Sequence, residues 1–151
     1  MKQADENSEL DLNLFRVWAK ATKTLFDNFK RDIESHGISQ DHFMILELLY
    51  NKGPHPIQRI SEIFAIPSGS ITYVVDKLEK IGYVRRQPSV TDRRTLNVNL
   101  TESGEALFNE VFPKHVATIS RNFSFIDNEE KTRMIQLFKR IGLGAQGLRE
   151  E

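Results

Sequence analysis

Leu14, Trp18, Ala21, Leu25 and Phe29 recur at spacings of four, three, four and four, and Phe15, Phe26 and Ile33 widen the stripe. A period of this kind predicts an amphipathic helix over about 10–35. Gly37 closes it, and Ser39 is placed to cap a second helix whose apolar positions Phe43, Ile45, Leu46, Leu48 and Leu49 stop at Gly53, ahead of Pro54 and Pro56. Pro56 suits a first helical position, so Ile57, Ile60, Ile63 and Phe64 trace a short helix that Pro67 terminates. Ser68 can cap the next one, in which Ile71, Val74, Val75, Leu78 and Ile81 form a stripe ending at Gly82.

After Gly82 the period shortens to two. Tyr83 to Gln87 and Thr95 to Leu100 read as half-buried strands, with 88–94 as the exposed loop between them. Thr101 then caps a long helix bearing Glu102 and Glu105 in its first turn, with apolar positions from Leu107 to Phe123 and an expected kink at Pro113. Asp127 and Glu130 have the spacing of a capping box, and Met134, Ile135, Leu137, Phe138 and Ile141 follow before the glycines at 142, 144 and 147. The expected fold is mainly α with a small antiparallel β-hairpin wing: four helices, the hairpin, then two helices. A length of 151 residues fits a single domain over 1–151.

Composition removes several function classes. Cysteine is absent, which excludes thiolate metal sites and thiol-based catalysis or redox sensing. The start MKQADENSELDLN lacks the basic and apolar regions of a signal peptide, and no apolar run reaches membrane-spanning length, so a cytoplasmic location is expected. His36, His42, His55 and His115 show no metal-ligand spacing, Gly142-x-Gly144-x-x-Gly147 follows no strand, and Gly69-Ser70 lacks the context of a hydrolase elbow. Neither an enzyme nor a bound metal or cofactor is expected. Formal charge is zero, 21 basic residues against 21 acidic, but it is unevenly spread. Residues 52–101 hold eight basic residues (Lys52, Arg59, Lys77, Lys80, Arg85, Arg86, Arg93, Arg94) and four acidic ones (Glu62, Asp76, Glu79, Asp92). A local excess of four cations suits a polyanion, although charge counting alone favours an ordinary solvated face.

Two short helices joined at Ile66-Pro67 and followed by a basic-tipped hairpin have the element order of a winged helix-turn-helix. Ser68, Gly69, Ser70 and Thr72 are small enough to bring the second helix close to a DNA major groove, its positive end toward phosphate. Tyr73 can bond a phosphate or stack on a sugar, and Lys77 and Lys80 can meet the phosphate backbone. At the hairpin tip, Arg93 or Arg94 suits the narrow minor groove, with Asp92 expected to pair with Arg94 and fix its direction. The bland alternative is an exposed turn with an incidental ion pair.

Three blocks resemble the MarR regulators of bacteria: Val75-Asp76-Lys77-Leu78-Glu79-Lys80-Ile81-Gly82-Tyr83-Val84-Arg85-Arg86, then Asp92-Arg93-Arg94, then Val98-Asn99-Leu100-Thr101-Glu102-Ser103-Gly104. The resemblance implies a recognition helix over 68–77 and a wing pair at Asp92 and Arg94. It also implies double-stranded DNA as partner, dimerisation through helices at 10–35 and 102–146 flanking a DNA-binding region at 39–101, and nucleoid association. Those terminal helices carry more apolar positions than a DNA-reading module could cover, although a larger monomeric core would use them too. A two-fold dimer would read a near-palindromic operator with half-sites about 10 base pairs apart. The resemblance further implies a repressor released by a small, aromatic or phenolic effector, since no cysteine is present to sense oxidants. Trp18, Phe43, Phe108, Phe112 and His115 are candidates for its pocket, although aromatics at such spacing more often belong to the core. Thr72-Tyr73 and Phe112-Pro113-Lys114-His115 are similar to a subgroup associated with quinone and aromatic-compound stress. The alternative is a winged-helix adaptor that docks a protein and binds no specific DNA.

Overall fold

The computed structural model describes residues 6–149, in the order α1 (Glu6–Ser35), α2 (Gln40–Lys52), β1 (His55–Pro56), α3 (Ile57–Phe64), α4 (Ser68–Ile81), β2 (Val84–Pro88), β3 (Leu96–Leu100), α5 (Glu102–Asn122) and α6 (Asn128–Gly147). The chain divides into two compact units, Met1–Thr118 and Ile119–Glu151. The division falls inside α5, where the hydrophobic period continues and no composition shift marks it.

In the first unit, α2 supplies the centre of the core through Ile45, Leu46 and Leu49, as its apolar run requires. Ile60 from α3, Ile71, Val75 and Leu78 from α4, Val84 and Val98 from the strands, and Phe108 and Val111 from α5 close around it. Burying a Leu, Ile, Val or Phe side chain contributes about 1.5–3 kcal/mol each, so this cluster holds the helix-turn-helix and the wing strands together.

Three local details differ from the sequence expectation. First, the sheet has three strands, not two, in the order β1-β3-β2: His55 pairs with Val98 and Pro56 with Asn97, beside the hairpin register Val84 with Leu100 through Pro88 with Leu96. A two-residue strand has no period to read, and its proline argues against strand until an edge position is known. Second, α4 is capped from Pro67, whose carbonyl accepts the N–H groups of Ser70 (3.0 Å) and Ile71 (3.2 Å), while Ser68 lies inside the helix. The extended ψ of 139° at Pro67 starts the helix one residue earlier than a serine cap would. Third, α1 begins at Glu6, ahead of the first apolar position, with Glu6 and Glu9 in its first turn matching the helix dipole.

Other caps follow the sequence. Ser39 Oγ accepts the N–H of His42, and Thr101 Oγ1 accepts the N–H of Gly104 at 3.1 Å while its hydroxyl donates to the Gly82 carbonyl. In the second unit, Asp127 and Glu130 form both halves of the capping box, at 2.8 and 2.9 Å. The helix containing Pro113 runs unbroken from Glu102 to Asn122.

One polar group is drawn into the first unit. Asp32 Oδ1 accepts the Thr118 hydroxyl at 2.7 Å, its Oδ2 lies 2.8 Å from His115 Nδ1, and His36 Nε2 stands at 3.5 Å. Burial alone would push the Asp32 carboxyl up; the hydrogen bonds from Thr118 and His115 and the charges of His36 and His115 outweigh it, so it lies below its ordinary value of 3.8. A depressed carboxyl contributes stability that is complete above its unfolded value and lost as pH falls through the folded one. Acid unfolding of Asp32→Asn, followed by circular dichroism, is therefore expected to lose part of the pH dependence below about 4. An acid limb identical to that of the native chain would show that the cluster contributes nothing.

Candidate nucleic-acid interface

The turn between α3 and α4 is tight because Ala65 adopts a left-handed conformation (φ 51°), Ile66 N–H bonds Ser61 O at 3.1 Å, and the Ser61 hydroxyl returns to the Ile66 carbonyl. The turn sets α4 against the core by Ile71, Val75 and Leu78, leaving the opposite face outside. Ser68, Gly69 and Ser70 are exposed at its N-terminus, and no atom lies within 4 Å of where a Gly69 Cβ would stand. Thr72 is half-buried and its hydroxyl donates to the Ser68 carbonyl at 2.9 Å, so that proton is already used. Tyr73 is 61% exposed, and Lys77 Nζ lies over its ring at 4.4 Å. A cation held on an aromatic face has less rotamer freedom to lose when it meets a phosphate.

The basic excess between 52 and 101 is sorted by the fold. Arg59 pairs with Glu62 at 2.9 Å on α3. Arg86, only 23% exposed at its side chain, reaches from β2 to two acids of α4: Asp76 at 2.6 Å and Glu79 at 3.0 Å. Glu79 also accepts the Arg86 backbone N–H at 3.1 Å. Two arginines therefore consume three acids, and Arg86 clamps the base of the wing to α4. Among the described residues no ion pair engages Lys52, Lys77, Lys80, Arg85, Arg93 or Arg94. The surplus is available to a polyanion, whereas Arg86 is structural.

At the wing tip the role expected for Asp92 is corrected. Its Oδ1 accepts the backbone N–H of Arg94 at 3.0 Å and its Oδ2 faces the Thr95 hydroxyl at 3.4 Å, and among the described residues no ion pair joins it to the Arg94 guanidinium. With Thr95 N–H on Asp92 O (3.0 Å) and Ser89 N–H on Thr95 O (2.7 Å), the carboxylate shapes the loop backbone. Asp92 is a turn-forming residue whose short side chain bonds the main chain two residues on, a local alternative that competes well with a distant guanidinium. Arg93 and Arg94 are left exposed on that fixed turn.

His42 also belongs near this surface and was not singled out by the sequence. Burial first, and then the charge of Lys77, lower its pKa, with Asp41 opposing. No spacing rule reveals it, because the proximity is between helices.

The aromatic set separates. Phe43 and Phe108 are buried core residues with ring centroids 5.2 Å apart, His115 is buried at 4.7 Å from Phe43, and Phe112 sits 6.5 Å from Phe108 against the same core. Trp18 stands apart on α1, 46% exposed and 6.1 Å from Phe15. None of the five lines the cleft within the second unit or the cleft between α2, β3 and α5.

Residues 38–96, which contain the helix-turn-helix and most of the wing, match the family model of MarR. The chain is 41% identical over 139 residues to the HTH-type transcriptional regulator MhqR of Bacillus subtilis (strain 168), covering 92% of this chain and 96% of that protein. The chain belongs to the MarR family. Its fold agrees with that of AbsC, a MarR family transcriptional regulator from Streptomyces coelicolor, at a TM-score of 0.81 and 21% identity over 97% of this chain and 99% of that one. Sco3205, a MarR family transcriptional regulator from the same organism solved in complex with DNA, gives a TM-score of 0.78 at 20% identity, over 95% of this chain and 91% of that one. As a MarR-family member the chain is a DNA-binding transcriptional regulator and not an enzyme. Among its described residues no helix is long and apolar enough to cross a membrane.

Proposed function

We propose that the chain acts as a homodimeric repressor, reading a near-palindromic operator with α4 in the major groove and the wing in the minor groove. The supporting observation is the unpaired cationic surface that runs from Lys77 and Lys80 on α4 to Arg93 and Arg94 on a wing clamped to that helix by Arg86. Ser68, Gly69, Ser70, Thr72 and Tyr73 approach the bases and sugars, Lys77 binds phosphate, and Asp92 fixes the turn that aims Arg93 and Arg94. Bound at a promoter in the cytoplasm, on the nucleoid, the dimer blocks polymerase until a small aromatic or phenolic effector releases it, with no thiol involved.

Lys77→Ala is expected to weaken binding to every duplex alike and to make the dependence of log K on log salt shallower by about one unit. Fluorescence anisotropy with a labelled duplex over a salt series measures this, and an unchanged slope would remove Lys77 from the phosphate contacts.

Dimerisation is supported within each unit separately. Leu10, Leu14, Phe15, Val17 and Phe26 are exposed on α1. In the second unit, Ile135, Phe138, Ile141 and Leu143 are exposed on α6, beside an apolar cleft of about 320 Å³ lined by Ile119, Phe123 and Met134 among others. Apolar faces of this extent need a partner surface. Phe138→Glu is expected to shift the sedimentation coefficient from dimer to monomer; a persistent dimer would place the interface elsewhere.

A further inference from the structure

The outer end of the β2–β3 hairpin is apolar as well as cationic. Pro88 and Leu96 are cross-strand partners with exposed side chains, and two residues beyond Pro88 stands Val90, fully exposed. None of the three belongs to the buried core. The Pro88–Leu96 pair follows the same alternation as the Arg86–Val98 pair, so it shares the face from which Arg86 reaches Asp76 and Glu79. That face is the α4 side of the wing. The chain is pinned on both sides of Val90: Ser89 donates its N–H to the Thr95 carbonyl at 2.7 Å, and Thr91 donates its N–H to Ser89 Oγ at 3.3 Å. Two residues on, Asp92 fixes the turn into Arg94. Val90 is therefore held out in water at a place where Gly, Asn, Asp, Ser or Pro is the ordinary choice. A lone exposed valine needs no explanation. Three apolar residues at the end of one hairpin, beside two arginines that no ion pair engages among the described residues, are a surface with something to cover.

We propose that Val90, flanked by Pro88 and Leu96, is a specificity-determining contact that packs on the deoxyribose walls of the minor groove beside Arg94. This rests on the reading that the wing enters that groove. The sugars lining the groove present C–H groups, and the groove is only about 6 Å wide and narrower still over A·T tracts. Closer walls take more of a branched side chain out of water, so the contact favours operators that are A·T-rich under the wing. Valine is shorter than the Phe, Leu, Ile and Met side chains that wedge between base pairs, and it lines the groove without unstacking it. An apolar contact displaces no counterions. It adds affinity without steepening the salt dependence, whereas an arginine does both.

The test is fluorescence anisotropy over a salt series, using the duplex that the native chain selects from a random pool, with Val90→Thr, Val90→Ile and Arg94→Ala beside the native chain. Val90→Thr keeps the side chain's shape and exchanges a methyl for a hydroxyl; because the residue touches no core, its urea midpoint should equal the native one. Val90→Thr is expected to bind about three- to tenfold more weakly at every salt concentration with the native slope, and Val90→Ile to stay within about twofold of the native chain. The preference for A·T over G·C at the base pairs under the wing should weaken in Val90→Thr. If Val90→Thr binds as the native chain does while Arg94→Ala is weakened, the wing reads DNA and the role of Val90 is overturned. If Arg94→Ala is unchanged as well, the wing does not enter the groove and both readings fall. A weakened Val90→Thr with an altered salt slope, or a Val90→Ile as weak as Val90→Thr, would also overturn an apolar contact.

Discussion

Gly104→Ala is expected to lower the unfolding free energy by about 1–3 kcal/mol and to weaken DNA binding with it. Gly104 is buried in the first turn of α5, and a Cβ there would run into the backbone carbonyl oxygen of Tyr83 and stand 3.1 Å from Leu100 Cδ2. A backbone carbonyl cannot swing aside as a flexible side chain would, and this one already accepts the Thr101 N–H at 3.0 Å. Relief therefore requires α5 to move away from the junction where β2 begins and β3 ends, which loosens the base of the wing. Gly69→Ala is the control for stability: it lies in α4 with nothing within 4 Å of its added methyl, and is expected to stabilise by up to about 0.5–1 kcal/mol through helix propensity. Urea unfolding of the two variants distinguishes close approach from propensity, and Gly104→Ala as stable as the native chain would contradict the packing described.

Arg94→Ala is expected to weaken operator binding by about 1–3 kcal/mol and to relax preference at the base pairs under the wing. The guanidinium is exposed on a turn whose backbone is set by Asp92, Thr95 and Ser89, so removing it leaves the loop intact and deletes only the contact. The wing is carried by a strand that Arg86 ties to Asp76 and Glu79, so the tip keeps its place relative to α4. Titration of operator variants altered only in the minor-groove positions measures the effect. Equal affinity of Arg94→Ala and the native chain for the operator would take Arg94 out of the reading.

The helix stripes, the Ser39 cap, the Asp127–Glu130 box and the Leu96-Val98-Leu100 alternation are local patterns, and each element they predict is present. The winged helix-turn-helix was legible for the same reason, since its order and spacing are written along the chain. What escaped depends on pairs distant in sequence. Asp32 meets His115 and Thr118 more than eighty positions away. His55 joins β3 as an edge strand too short to have a period. Charge counting places Arg86 in a basic patch, because it cannot show that Asp76 and Glu79 neutralise it. Asp92 was expected to hold the Arg94 guanidinium, and it bonds the Arg94 backbone, because both roles place an aspartate two residues before an arginine. Pocket and core aromatics share one spacing, and only the fold separates Phe43 and Phe108, which are buried, from Trp18, which is not.

Reading of a specific operator by the α4 face and the wing is tested by selecting bound duplexes from a random pool and titrating the winner against scrambled DNA at two salt concentrations. A near-palindromic winner is expected, with half-sites one helical turn apart, bound at least about a thousandfold more tightly than scrambled DNA. Uniform weak binding to every duplex, with no sequence enriched, would contradict it and would turn the same surface toward a protein partner.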